Sequence, residues 1–366
     1  MPRRPVDRLL LLFALLLMAL GLVFIYSASA VKAFQVNPAG AAFLTRQLVG
    51  CGVGLVLMLL ATQAELGGLV EDWRPLKIWY GVMILLLLGV FAFHKINGAH
   101  RWMKLGPLSF QPSELFKPLA VLLAASWMVR HQEKWRDTKE ALPGLFRLAL
   151  LLLPPLALIL KQPDFGTTFL IVFVVMLVVF LGGAPRWIFA VATPALGLVG
   201  FLFVRLSAYR WERVTSFLHP DADPLGTGHQ ALQSLVAVGN GGVAGVGLGQ
   251  GMQKLFYLPE AHTDFIYAVI GEEAGLIGTV LVLALFAAIL WRGFRIARRC
   301  QDAFLGLTAM GLTLLLVVQA LMNMSVVLSL APNKGIPLPF ISYGSSSLMA
   351  SLLILGLLLS VSKDTA

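Results

Sequence analysis

The residues best suited to chemistry lie in one stretch, residues 257 to 275, which reads YLPEAHTDFIYAVIGEEAG. It contains one histidine and several acids, namely Glu260, His262, Asp264, Glu272 and Glu273. Pro259 ends the preceding structure and Thr263 is a typical helix N-cap, which predicts Asp264 in the first turn of a helix. The positive end of the helix dipole favours an ionised carboxylate there. Asp264 is therefore expected to carry a negative charge, and the competing interpretation is a helix-capping acid at a membrane surface.

The same predicted helix carries a second group of acids further along. At about 1.5 Å per residue, Glu272 and Glu273 lie roughly 12 Å beyond Asp264. If the helix crosses a membrane, these carboxylates must face the interior of the protein and find a partner. Gly271 and Gly275 form a stripe of small residues, which allows a neighbouring helix or a lipid chain to approach closely. We expect all four to have structural roles.

The composition defines the class of protein that holds this stretch. Hydrophobic residues make up 58% of the chain and charged residues only 13%, which excludes a soluble globular domain and predicts an all-α polytopic membrane protein. The net charge of +10 does not indicate a nucleic-acid partner, because basic residues in such chains crowd the cytoplasmic loops. The two cysteines, Cys51 and Cys300, fall in a predicted span and a predicted loop, so no disulfide is expected.

Hydrophobic runs predict about ten transmembrane helices in a single domain over residues 1–366. The spans lie near residues 9–30, 43–62, 76–94, 113–130, 142–160, 166–182, 186–206, 264–291, 303–330 and 342–361. The first run follows several arginines and resembles a signal peptide, but its length and the alternation of the later spans indicate an uncleaved helix.

The distribution of basic residues predicts the orientation. With a cytoplasmic N-terminus, the inner loops hold Arg74, Lys77, Arg130, Lys134, Arg136, Lys139, Arg186, Arg292, Arg295, Arg298 and Arg299. This bias places both termini in the cytoplasm. One long extracytoplasmic loop, about residues 206–263, separates spans seven and eight, and a loop of this length is usually functional. Its glycine-rich middle, residues 239–251, is predicted to be flexible, and the apolar run before it to be an interfacial helix.

On this topology the unusual polar residues gather at the outer face. The cations are Arg101, Lys104, Arg210 and Lys334, and the acids are Asp164, Glu260 and Asp264. Trp102 is an interfacial anchor, and Glu114 and Lys117, three residues apart, form a candidate ion pair. Three prolines keep residues 332–344 non-helical, and such backbone at membrane depth lines a cavity or is buried in protein. Cations beside apolar grooves suit a lipid-linked pyrophosphate, although contact with lipid head groups explains some of them equally well.

Several motifs together carry a resemblance to a known family. They are LPEAHTDFIYA at residues 258–268, GEE at 271–273, GAHRW at 98–102, QPDFGT at 162–167, Gln253-Lys254, and KGIPLPFISYG at 334–344. With these motifs the chain resembles the SEDS family (shape, elongation, division and sporulation proteins) over nearly its whole length. Ala261, Gly271 and the Pro-Asn-Lys-Gly block look most like the cell-division members. One departure is Ser345, where the family usually has a second glycine.

The resemblance implies a peptidoglycan glycosyltransferase of the bacterial cytoplasmic membrane, acting at the division septum. It implies lipid II as the substrate, and a class B penicillin-binding protein and other divisome proteins as partners. Asp264 matches the acid on which polymerisation depends, and the role that the resemblance implies for it is that of general base. The expected substrate-binding residues are Arg101, Trp102, Lys104, Asp164, Arg210, Glu260, His262, Lys334 and Ser342, and the structural ones are Glu114, Lys117, Gly271, Glu272, Glu273 and Gly275. No cofactor is implied, and the sequence defines no ligand set for the divalent cation that pyrophosphate chemistry would accept.

Three other interpretations stay open. One is a flippase for lipid-linked precursors, since buried Glu272 and Glu273 and proline-broken segments suit alternating access. Another is a scaffold that only recruits division proteins. A third is a related polymerase that serves cell elongation.

Overall fold

The computed structural model describes residues 5–36, 42–95, 98–105, 108–136, 138–207, 211–212, 214–215, 217, 228–255, 257–332 and 335–365. These residues form eleven α-helices and one two-stranded antiparallel hairpin. The helices are α1 (Arg8–Val36), α2 (Ala42–Gln63), α3 (Arg74–Gly89), α4 (Pro112–Arg130), α5 (Thr138–Lys161), α6 (Phe165–Leu181), α7 (Arg186–Arg205), α8 (His229–Gly241), α9 (Ile266–Arg299), α10 (Ala303–Val327) and α11 (Ser345–Lys363). The strands are β1 (Met103–Leu105) and β2 (Leu108–Phe110).

Ten of these helices coincide with the ten predicted spans. Eight of them, all but α4 and α6, are long and apolar enough to cross a membrane. Helix α6 is apolar but has only 17 residues. Helix α4 is buried along almost its whole length and carries Glu114 and Lys117. The prediction of an all-helical polytopic membrane protein is confirmed.

Contacts between chain segments define two ends of the helical bundle. At one end, the Asp7 N–H donates to Ser362 Oγ at 3.1 Å and the Lys363 ammonium donates to the Thr62 carbonyl at 2.8 Å. At the same end, Cys300 forms an isolated antiparallel β-bridge with Thr365. Burial, together with the negative charges of Asp302 and Asp364, raises the pKa of the Cys300 thiol to about 11. The other end holds the turn before α9 and the segment before α11. The start of α1 and the ends of α2, α9 and α11 therefore lie together at one end of the bundle.

The centre of the bundle is formed by α4, α10 and α11, which other helices surround. Almost every residue of α11 is buried, and α10 is two-thirds buried. These helices are apolar around most of their circumference, as expected for helices without a solvent face. Their few polar side chains are therefore significant, because each needs a partner inside the protein.

Helix α9 is interrupted at Gly275, whose φ of 64° and ψ of −159° are not helical. A continuous helix would bond the N–H groups of residues 276 and 277 to the carbonyls of Glu272 and Glu273. Instead, those N–H groups donate to the carbonyls of Gly242 and Val243, at 2.9 and 3.2 Å.

The glycine-rich segment completes the exchange at this break. Glu272 and Glu273 accept at their carbonyls from the N–H groups of Val246 and Gly247, at 3.0 and 3.1 Å. Two lost helical bonds are thus replaced by four bonds to residues 242–247. The glycine-rich stretch, which the sequence predicts to be flexible, is tied to α9 by these four backbone hydrogen bonds.

Glycine is required where these two segments meet. A Cβ atom on Gly275 would lie 2.6 Å from the Val243 carbonyl oxygen, and one on Gly241 would lie 2.8 Å from the carbonyl carbon of Gly271. The predicted small-residue stripe of Gly271 and Gly275 is therefore a place of close approach. Its partners are α8 and the glycine segment of the same chain.

The close approach can be tested with two glycines of α8. Gly241→Ala should lower the free energy of unfolding by about 1–3 kcal/mol, because the new methyl group overlaps α9 backbone. Gly239→Ala is the matched control, since nothing lies within 4 Å of its added Cβ and alanine favours a helix by up to about 1 kcal/mol. Thermal unfolding in detergent measures both, and equal stability of the two variants would contradict the packing.

Candidate active site

Asp264 lies in a turn that ends just before α9. The helix begins at Ile266, and its N-cap, Phe265, provides no side-chain cap. The hydroxyl of Thr263 donates instead to the carbonyl and carboxylate oxygens of Glu260, at 3.2 and 3.1 Å. The prediction that Thr263 caps the helix and that Asp264 occupies its first turn is therefore wrong by two residues. A turn closed on Glu260, which has a φ of 55°, takes the place of that first turn.

The main chain of Asp264 is held by a buried amide. Asn323 Nδ2 donates to the carbonyls of Asp264 and Ile336, both at 2.8 Å. One side chain of α10 thus joins the Asp264 turn to the proline-rich segment 335–344. A Cβ on Gly335 would lie 3.4 Å from Asp264 Oδ2, so the carboxylate faces this segment. The side chain of Asp264 remains partly exposed.

Further bonds join the same two segments. Ser342 Oγ donates to the Thr263 carbonyl at 2.7 Å, and the Tyr343 N–H donates to the His262 carbonyl at 3.0 Å. The His262 ring lies between Phe43 of α2 and Tyr343, with ring centroids 5.0 and 5.5 Å away. His262 and Ser342, both expected to bind substrate, are buried and hold the turn in place.

A buried ion pair supports segment 335–344 from α4. Lys117 Nζ lies 2.6 Å from Glu114 Oε2 and donates to Gln319 Oε1 at 2.7 Å. Because a lysine can only donate, it faces the carbonyl oxygen of Gln319, and the Gln319 amide donates to the Pro337 carbonyl at 2.9 Å. The structure places the predicted Glu114–Lys117 pair inside the protein, with each side chain at most 3% exposed.

Gln319 and Asn323 are the residues that the sequence interpretation missed. They are one helical turn apart in α10 and both contact segment 335–344. Two amides spaced four residues apart in an otherwise apolar helix lie on one face, and polar side chains in such a helix need partners. That pattern could have identified Gln319 and Asn323 from the sequence as buried residues with a structural role.

A second group of predicted residues joins neighbouring loops at the same end. Asp164 is 2% exposed and caps α6, accepting from the Thr167 N–H at 3.2 Å. Its other oxygen accepts from Gln111 Nε2 at 3.0 Å and from Ser113 Oγ at 3.3 Å. These bonds give Asp164 a structural role.

The loop before α4 carries the cations that the sequence placed near the site. Arg101 donates to the carbonyls of Gln162, at 3.1 Å, and Pro163, and its guanidinium lies 5.9 Å from the centroid of the Trp102 ring. Arg101 therefore ties this loop to the α5–α6 turn. Lys104 is exposed on β1. Arg210 and Lys334 lie outside the described residues.

The carboxylates of α9 are enclosed beside the helix break. Glu273 is 1% exposed, its Oε1 lies 2.6 Å from Lys254 Nζ, and it accepts from Ser27 Oγ at 2.7 Å. Glu272 accepts from the N–H groups of Met252 and Gln253, at 2.9 and 3.2 Å. Both acids found partners inside the bundle, as predicted.

The described residues do not form an obvious metal site. No group of three or more histidine, cysteine, aspartate or glutamate side chains among them is arranged to hold an ion. Asp264 and Glu260 belong to one turn, whereas Asp164 is occupied at the start of α6.

The fold and this site define a helical polytopic membrane protein with a partly exposed aspartate at one end of the bundle. A family model described as cell cycle protein, which joins FtsW, RodA and SpoVE, matches residues 7–366. The chain belongs to this family, and its resemblance to SEDS proteins is confirmed.

Individual comparisons extend over the whole chain. A Trichlorobacter lovleyi protein named probable peptidoglycan glycosyltransferase FtsW is 40% identical over 362 residues, with 97% of this chain and 93% of the relative covered. Stage V sporulation protein E of Bacillus subtilis is 39% identical, with 98% and 97% covered. A solved structure described as structural coordination of polymerization and crosslinking by a peptidoglycan synthase complex has a TM-score of 0.77 at 37% identity, with 98% of both chains covered.

The buried pair beside the helix break yields a stability prediction. Lys254→Met should lower the free energy of unfolding by about 3–5 kcal/mol, because Glu273 then loses its buried cation. The double variant Lys254→Met/Glu273→Gln should recover part of this loss. Lys134→Met is the control: its partner Glu140 lies 3.8 Å away, both side chains are about half exposed, and the cost should be at most about 1 kcal/mol. Thermal unfolding that shows equal costs for the two lysines would refute this account.

The amide clamp at Asp264 yields a second prediction. Asn323→Ala removes the donor shared by two main-chain carbonyls, of which that of Ile336 is buried, and should cost about 1–3 kcal/mol of stability. It should also speed amide hydrogen exchange in residues 335–338 and in the Asp264 turn. Ser351→Ala is the control, because its hydroxyl donates to the Ser347 carbonyl within α11 and does not contact the Asp264 turn in the described part of the chain. Unchanged exchange around Asp264 in the Asn323 variant would contradict the clamp.

Proposed function

We propose that this chain is a peptidoglycan glycosyltransferase of the FtsW type, which polymerises lipid II at the outer face of the cytoplasmic membrane. The family membership and the relatives named as glycosyltransferases support this activity. The observation that carries the site assignment is the position of Asp264. It is a partly exposed carboxylate whose main chain is fixed by Asn323, at the end of the bundle where the family motifs meet.

In this proposal Asp264 acts as a general base. Its carboxylate takes the proton from the 4-hydroxyl of the acceptor sugar as that oxygen attacks the anomeric carbon of the donor. A new carbon–oxygen bond forms while the bond to the lipid pyrophosphate breaks, so the configuration inverts and the pyrophosphate leaves with the electron pair. The carboxylic acid formed on Asp264 then returns its proton to solvent.

Positioning supplies much of the rate in this mechanism. The turn before α9 is bonded to α10 through Asn323 and to segment 335–344 through Ser342, so Asp264 is oriented before substrate arrives. The positive end of α9 and nearby cations stabilise the departing pyrophosphate. Lys334, which precedes Gly335 in the chain, and exposed Lys104 are the cations proposed for this role. Arg101 positions the loop that carries Lys104.

The wider setting follows from the same assignment. The whole chain acts as one transmembrane unit with both termini in the cytoplasm. A class B penicillin-binding protein cross-links the strand that this protein polymerises, and both work with other divisome proteins at the division septum. The solved relative described as a peptidoglycan synthase complex that coordinates polymerization and crosslinking supports such a partnership.

Lipid II turnover tests the proposal directly. Purified protein with its transpeptidase partner would receive labelled lipid II, and glycan chains would be resolved by gel electrophoresis. Asp264→Asn should reduce polymerisation at least about 100-fold, because the amide cannot accept the proton. Glu140→Gln, at an exposed acid in α5, should polymerise like the unaltered protein.

Two outcomes would reject parts of the proposal. If Asp264→Asn polymerises normally, Asp264 is not the general base, but the assignment of the protein as a glycosyltransferase still stands. Unmodified label that crosses a proteoliposome bilayer without forming polymer indicates a flippase, and then the enzymatic function itself is wrong.

A further inference from the structure

The end of the bundle opposite Asp264 contains a cavity of about 330 Å³. It lies between the start of α1, the end of α9 and the end of α11. Arginines dominate its lining: Arg8, Arg292, Arg295 and Arg299. None of these residues takes part in the proposed glycosyl transfer.

An internal ion pair builds one wall of this cavity. Asp7 accepts from Arg292 through both carboxylate oxygens, with Arg292 Nε 3.2 Å from Asp7 Oδ1. Asp7 Oδ1 also accepts from the Leu10 N–H at 2.9 Å, and the Asp7 N–H donates to Ser362 Oγ. The side chains of Asp7 and Arg292 are only 9% and 13% exposed. The acid in the lining is therefore already neutralised, and the wall is fixed before any ligand arrives.

The three remaining arginines of the lining are available to bind an anion. Arg8, Arg295 and Arg299 are exposed, and none of them makes an ion pair with any residue in the described part of the chain. Three like charges around one cavity repel each other, and a bound anion would relieve that repulsion. Guanidinium groups bind phosphate oxygens through paired hydrogen bonds, so a phosphate group fits this lining best.

The surroundings indicate a lipid as the source of the phosphate. Arg292 and Arg295 lie over the Trp291 ring, with guanidinium carbons 5.2 and 5.8 Å from the centroid. Trp291 is 53% exposed near the end of α9, and Phe294, one turn on, is 46% exposed. Exposed aromatic rings at the end of a membrane-crossing helix are typical of the head-group region. An amphiphile could place its acyl chains beside these rings while its phosphate reaches the arginines.

We propose that this cavity binds the phosphate of an anionic phospholipid in the leaflet opposite Asp264. Basic pockets between helices are a recognised site for such head groups, and each basic residue near a membrane surface contributes about 1 kcal/mol. The bound lipid would join the ends of α1, α9 and α11. This proposal does not depend on the glycosyltransferase assignment.

Lipid binding to the purified full chain provides the test. Native mass spectrometry would titrate the detergent-solubilised protein with phosphatidylglycerol and, separately, with phosphatidylcholine. Arg295→Gln/Arg299→Gln should bind phosphatidylglycerol about 25-fold more weakly, or about fivefold for each charge removed. Arg8→Gln, on a different helix, should weaken binding about fivefold.

Arg186→Gln is the matched control, because Arg186 is an exposed arginine that begins α7 at the same end and lies outside the cavity. Three results would overturn the proposal: equal binding of the two lipids, an equal loss in the Arg186 variant, or inorganic phosphate that binds as tightly as phosphatidylglycerol and displaces it. The last result would identify a soluble anion as the ligand. A thermal unfolding measurement on each variant separates lost binding from lost folding.

Discussion

The requirement that buried backbone groups have hydrogen-bond partners governs the most unusual part of this protein. Helix α9 stops being helical at Gly275, and the N–H and carbonyl groups freed there bond to residues 242–247. An unpaired N–H or carbonyl group inside a membrane protein costs several kcal/mol, so the break persists only because the glycine segment supplies every partner. The glutamates next to the break reinforce it through Lys254, Ser27 and loop N–H groups.

This arrangement divides α9 into two parts with different tasks. The first part, residues 266–274, is fixed at one end by the glycine segment and at the other by the clamped Asp264 turn. The second part continues to the opposite end of the bundle, where Arg292 pairs with Asp7. Supporting side chains such as Asn323, Gln319 and Ser342 bond mainly to main-chain carbonyls. They fix the backbone that carries Asp264 and leave its carboxylate partly exposed.

The sequence predicted the fold class, the positions of the ten long helices and the family because each of these depends on patterns within short segments. Hydrophobic runs predicted the positions of the helices, and the motif around Asp264, with the other motifs, indicated the family. The sequence placed the start of α9 two residues too early, because Thr263 is a typical helix N-cap. In the folded chain its hydroxyl instead closes a turn on Glu260. The order of the glycine segment could not be predicted, since its partners lie about thirty residues away in the chain. For the same reason, the sequence could not show that Asp164 and His262 also hold neighbouring segments together.

The exchange of hydrogen bonds at Gly275 means that two separate stretches of sequence, residues 241–247 and the α9 residues around Gly275, constrain each other's evolution. A larger residue at Gly241 or Gly245 is incompatible with the present backbone of α9. A change of backbone conformation at Gly275 would in turn leave N–H and carbonyl groups of residues 242–247 without hydrogen-bond partners. Neither stretch can drift alone, so lineages that diverge here should do so by paired substitutions. In an alignment, these glycines should behave as one inherited unit even though they belong to a loop and a helix.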